Sequence, residues 1–186
     1  MSDQRTSPDP ETALRWWADG ELVVAGSIDR LSDDDLAADS NLPDWTRAHV
    51  VAHLARNADA LGNLLTWART GVETPMYPSR AARDADIEST AALAPDELRR
   101  HYVLAADRLS GAVEALPAEA WTAEVRTPRD ETMPASDVPW MRAKEVWVHG
   151  TSDAGMGAPW PLRTSAVHAS TGIVSIPWPS RAHAAT

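Results

Sequence analysis

Cysteine is absent from this chain. That removes disulfides, cysteine-based zinc sites and a protein thiol nucleophile together. Any metal must be held by His, Asp and Glu, and any thiol chemistry must use a thiol brought from outside. Phenylalanine is absent too, and lysine occurs once, as Lys144. Positive charge is in short supply: 17 Lys and Arg face 27 Asp and Glu, a formal charge of −10. A nucleic-acid partner would want a basic face, so the balance argues against one. No apolar run approaches the ~20 residues that cross a bilayer, so no membrane partner is expected. The opening "MSDQRTSPDPET" has no signal-peptide core, and the chain reads as cytoplasmic.

What is present is a set of helical signals. Asp9, Pro10 and Glu11 form a helix start. Leu14, Trp17, Leu22, Val23, Ile28 and Leu31 then recur at roughly helical spacing. The clearest helix begins near Asp44 or Thr46 and stops at Gly71. Val50, His53, Leu54, Leu61, Leu64, Leu65 and Ala68 form its apolar stripe, with Asn57 on the same face. "SRAARDADIEST" predicts a short helix after a Pro75/Pro78 loop. Another long helix starts at Pro95, with Leu98, Tyr102, Leu104 or Ala105, Leu109, Val113 and Leu116 on one side. "AWTAEVRTPRDETMPASD" is irregular, with room for a short extended pair. The fourth main helix runs from near Ser136 or Asp137 to Gly150. This pattern predicts an all-α four-helix bundle over residues 1–153. Residues 154–186 hold no acidic residue and no sustained period, and predict a poorly packed or disordered tail.

Bundles build metal sites from side chains on facing helices. Glu145 and His149 lie four apart, one above the other on one helical face. The second long helix offers His49 and His53, also four apart. One of these with Glu145 and His149 makes a two-His, one-carboxylate set. Three protein ligands leave a position open for chemistry. His53 is the better candidate because it lies on the apolar stripe, although spacing alone leaves His49 open. The same residues also have a plainer reading. His53 could be a core histidine hydrogen-bonded to Asn57. Glu145 could be a surface partner of His149 or Arg142, a pair worth ~0.2–0.5 kcal/mol.

The segments "WTRAHVVAHLARNADALGNLLTWARTGVETPMYPSRAARD" and "MPASDVPWMRAKEVWVHG" closely resemble the mycothiol-dependent maleylpyruvate isomerases. Those belong to the wider DinB-like family of four-helix metal-binding proteins. The similarity covers the Trp-x7-His start of the second long helix, the Thr-Pro-Met-Tyr loop and the Arg-x2-Glu-x-Trp-x-His run. The resemblance implies His53, Glu145 and His149 as ligands, zinc as the metal, and His49 as a non-ligand. It also implies an active-site role for Arg83, which by position alone reads as a solvated loop residue among Arg80, Asp84 and Asp86.

The implied reaction turns maleylpyruvate into fumarylpyruvate during gentisate breakdown. A thiolate adds to the conjugated cis double bond, the adduct rotates, and the thiolate leaves. The implied thiol is mycothiol. A mycothiol S-transferase acting on another electrophile, or a non-catalytic metal-binding bundle, would use the same residues. Two His and one carboxylate also suit iron, manganese or nickel.

Family members with this activity continue into a smaller α/β domain that adds another arginine. Here the match decays after His149, Ser152 stands where an Asp is usual, and the chain leaves no room for that domain. A truncation, or a change of reading frame near residue 150, would account for both.

Overall fold

The computed structural model describes residues 7–153, so the expected tail at 154–186 lies outside the described residues. Among the described residues there are six α-helices, two short 3-10 helices (Ala118–Thr122 and Ala135–Asp137) and one small hairpin: α1 Pro10–Arg30, α2 Asp33–Ala37, α3 Arg47–Thr70, α4 Arg80–Ala91, α5 Pro95–Glu114, β1 Glu124–Arg126, β2 Thr132–Pro134 and α6 Val138–Asp153. Four of them, α1, α3, α5 and α6, are the bundle's long members. The all-α reading therefore holds.

The helix starts follow local chemistry. Asp9 caps α1 by accepting from the Thr12 N–H at 3.0 Å, and Pro10 occupies the first turn. The first helix ends at Arg30, because Ser32 and Asp35 form a capping box that opens α2. Thr46, not Asp44, caps α3. Asp44 has φ 65, a left-handed turn conformation, whereas an N-cap is extended. Gly71, at φ 72, ends α3 as the sequence predicts. The extended pair exists: β1 and β2 are antiparallel, with Val125 opposite Met133.

α3 is the central helix. It packs along α5 and also meets α4 and α6, while α1 runs along α6. Its side chains are buried on most sides, including Leu54, Leu61, Leu64 and Leu65. Each such leucine stabilises the fold by about 1.5–3 kcal/mol. On α5, Ala105 is buried and Leu104 is exposed, which settles that alternative. On α1 the inward stripe is Ala13, Trp17, Gly20, Val24 and Ile28. Leu22, expected inside, faces solvent, because the face of α1 is set by its contact with α6.

That contact is unusually close. A Cβ on Gly20 would lie 2.5 Å from Val146 Cγ2 and 2.9 Å from Trp147 Nε1. One on Gly150 would lie 2.1 Å from Val24 Cγ2. Gly150 therefore does not end the last helix, which continues to Asp153. It lets α1 and α6 approach. Gly20→Ala should lower thermal stability by a few degrees, measured by circular dichroism. Overpacking costs about 1–3 kcal/mol and outweighs the ~1 kcal/mol that alanine gains in helix propensity. The clash falls on buried Val146 and on Trp147, which is held by a 2.7 Å bond to the Trp16 carbonyl.

Candidate metal centre

α3 and α6 cross where His53 faces Glu145 and His149. Donor atoms of these three side chains all lie within 4.8 Å of one another. His53 Nε2 is 2.9 Å from Glu145 Oε2, and His149 Nε2 is 3.4 Å from the same oxygen. The two imidazoles meet edge to face, with ring centroids 4.8 Å apart. His53 is buried, whereas Glu145 and His149 are partly open. Two imidazoles and one carboxylate, brought together from two helices, fit the donor set of a divalent metal with a position left for a further ligand.

Electrostatics favours an ionised Glu145. Burial alone would raise its pKa. The hydrogen bond from His53 and the charges of His53, His149 and Arg142 outweigh that and hold it below the usual glutamate value. The carboxylate is thus deprotonated at neutral pH, as a ligand must be.

Arg83 lies in the first turn of α4, not in a loop. Its Nη2 is 3.4 Å from His53 Nδ1, and its Nη1 donates to Asp84 at 2.8 Å. Its guanidinium carbon sits 5.9 Å from the centre of the Tyr77 ring. Burial raises the Tyr77 pKa more than the neighbouring Arg83 lowers it, so the phenol keeps its proton. Tyr77 belongs to the Thr-Pro-Met-Tyr loop, so that loop and the start of α4 together frame one side of His53. Trp45 covers another side, its ring centroid 5.6 Å from that of His53. Trp45 is the tryptophan of the Trp-x7-His match, and its place beside His53 gives that spacing a structural meaning.

His49 does not join the cluster. Its Nδ1 accepts from the Thr46 backbone N–H at 3.2 Å, the second half of the α3 capping box. Its Nε2–H is then free to donate to Glu88 at 3.2 Å. Both ring nitrogens are taken by structural partners. One helical turn separates a capping histidine from one in the candidate cluster.

Asn57 is not the partner of His53. Its Oδ1 accepts from Arg142 Nη1 at 3.1 Å, and the same nitrogen donates to the Leu54 carbonyl at 2.7 Å. Arg142 is fully buried. Its remaining donors reach Glu21 on α1, Nε to Oε2 at 3.1 Å and Nη2 to Oε1 at 2.8 Å. Glu21 also accepts from Trp17 at 2.7 Å and Tyr102 at 2.5 Å. Burial would raise the Glu21 pKa, but the Arg142 charge and these hydrogen bonds keep it low. Sequence spacing offered Arg142 as an exposed partner of Glu145. Its true partner is 121 residues away, beyond any local pattern.

Comparison with known proteins places these features in a family. The family described as "Mycothiol maleylpyruvate isomerase N-terminal domain" matches residues 17–152. A solved mycothiol-dependent maleylpyruvate isomerase is similar at 37% identity and a TM-score of 0.76, over 85% of this chain and 64% of that one. A solved histidine-to-alanine variant described under the same enzyme name is similar at 36% identity and a TM-score of 0.76, over 86% of this chain and 65% of that one. The chain therefore spans a little under two thirds of the length of these solved relatives. A search of curated protein sequences returns no match.

Proposed function

The chain belongs to the family of the mycothiol maleylpyruvate isomerase N-terminal domain, and from that premise we propose that it takes part in mycothiol-dependent cis-trans isomerisation of maleylpyruvate to fumarylpyruvate in the cytoplasm. The observation that carries this reading is the convergence of His53, Glu145 and His149 within 4.8 Å in a chain of this family. In this proposal residues 1–153 are the metal-binding bundle, with the three side chains holding zinc or a related divalent ion. The ion would supply the positive charge that keeps a sulfur ligand as thiolate near neutral pH. The sulfur comes from a low-molecular-weight thiol, since the chain has no cysteine of its own.

The protein's residues then have distinct tasks. Glu145 is already ionised, so it binds a cation without first losing a proton. Trp45 packs against His53 and keeps water from that face of the ring. Arg83 is the candidate catalytic residue. A guanidinium presents a planar fork to a carboxylate, and it also steadies an enolate oxygen as negative charge develops. Its contact with His53 Nδ1 needs an unprotonated Nδ1, because arginine only donates. A histidine that ligates through Nε2 carries its proton on Nδ1. Were His53 to hold an ion, Arg83 would lose this acceptor and its guanidinium would be available to an anion.

Arg83→Ala should therefore lose about 10²–10³ in kcat, the range for removing one oxyanion donor. Zinc affinity, measured by competition with a chromophoric chelator, should not fall. Parallel loss of zinc would show that Arg83 serves the fold of the site and not the substrate.

The direct test is isomerisation of maleylpyruvate by zinc-loaded protein, with and without mycothiol, followed by the ultraviolet absorbance of the product. Turnover that requires both supports the proposal. Accumulation of a stable thiol conjugate would assign an S-transferase instead. Zinc bound by the three residues with no turnover would leave a metal-binding bundle that does not isomerise by itself.

A further inference from the structure

Arg142, Glu145 and His149 are spaced by three and four residues, so they share one face of α6. The two candidate ligands look toward His53. Arg142, one turn before them, ties α6 to both neighbouring helices at once. Its Nη1 holds α3 through the Leu54 carbonyl, the residue next to His53, and through Asn57, one turn on. Its Nε and Nη2 make a two-pronged contact with Glu21 on α1. Gly20, beside Glu21, brings α1 into contact with Val146 and Trp147, the two residues after Glu145. The clamp therefore acts where α6 must neither slide nor rotate if Glu145 and His149 are to meet His53.

We propose that Arg142, clamped by Glu21, is a positioning residue of the metal centre: it sets the register of α6 against α3 and so the convergence of the three donor atoms. The inference rests on the metal reading of His53, Glu145 and His149. A buried ion pair by itself is poor evidence of stabilisation, since apolar replacements are often as stable. A fork that reaches a backbone carbonyl beside one ligand, from one turn before another, has a geometric role that an apolar side chain cannot reproduce. Lysine cannot either, because it has a single donating point in place of the planar fork.

The test is cobalt(II) binding by the full chain, followed by titration and by the visible ligand-field spectrum. Two variants are compared with the unaltered protein. Arg142→Lys keeps the charge opposite Glu21 and removes the fork. The double variant Glu21→Leu with Arg142→Met removes the pair without leaving either charge unpaired. Leu109→Ala, a core truncation on α5, serves as a control for general loss of stability. The expected result is that both clamp variants, still folded by circular dichroism, bind cobalt about 10–100-fold more weakly, the range for losing an outer partner of a metal site. Their spectra should also shift, while Leu109→Ala keeps the native spectrum. Native affinity and spectrum in both clamp variants would overturn the positioning role while leaving the metal centre intact. An unaltered protein that binds neither cobalt nor zinc would overturn the metal reading itself, and this inference with it.

Discussion

His53→Ala should remove metal binding altogether under conditions where the unaltered protein is saturated. The physical reason is the placing of the donors. Glu145 and His149 sit on one helix, and His53 is the single candidate ligand of the cluster from the facing helix. Without it, a bound ion keeps only two protein ligands, one turn apart. Loss of an outer partner costs about 10–100-fold in affinity, so loss of a ligand should exceed that range. Turnover should disappear with the metal. Isothermal titration with zinc measures the first effect, and the isomerisation assay the second. Retained zinc at native affinity in His53→Ala would mean that the ion sits elsewhere. The dependence on pH has a definite sign. Proton competition weakens binding as pH falls. Because the folded protein holds the Glu145 pKa below the usual glutamate value, the carboxylate enters that competition only in the acid range.

Arg142→Met, made alone, should strongly destabilise the bundle. It leaves the largely covered Glu21 carboxylate bonded to Tyr102 and Trp17 with no cation. Breaking a buried pair in this way costs about 3–5 kcal/mol. For a chain of this size that is a fall of about 10 °C in Tm. The pH dependence of stability should also reverse. In the unaltered protein the Glu21 pKa is lowered on folding. Its contribution is present above the unfolded pKa and is lost as pH falls through the lower folded value. In Arg142→Met the two strongest influences opposing burial are lost, and burial should then outweigh the remaining Tyr102 and Trp17 hydrogen bonds and raise the folded pKa. The variant is then relatively more stable in acid, where Glu21 is protonated, and loses stability as pH rises through that raised value. Denaturant melts at several pH values decide the matter. A variant as stable as the parent at neutral pH, with the parent's acid response, would show that the Arg142–Glu21 pair contributes little to the fold. Glu21→Leu with Arg142→Met should recover much of the loss, since neither charge is stranded.

The long helices were legible because their signals are local. Asp9 with Pro10, and Gly71, act on backbone groups within a turn or two, and such chemistry can be read from neighbours in the chain. The stripe of α3 was legible for the same reason, down to His53 and Asn57 as its polar members. The resemblance of two long segments to a known family added His53 over His49, and brought Arg83 into the site. Leu22 and Gly150 were misread in character. An apolar residue at helical spacing looks inward until the packing partner is known, and a glycine near a helix end looks like a stop. Both were decided by the close approach of α1 to α6.

By itself, then, the sequence determined the helical class, the lack of any protein thiol, the acidic balance and a short roster of candidate metal-ligating side chains. Each is a matter of composition or of spacing along one helix. Tertiary structure alone decided which of them meet. It turned His49 to a helix cap and His53 to Glu145, gave Asn57 to Arg142, and brought Glu21 across 121 residues to the same arginine. The period of a helix says which residues share a face. Only the packing of one helix against another says what that face looks at.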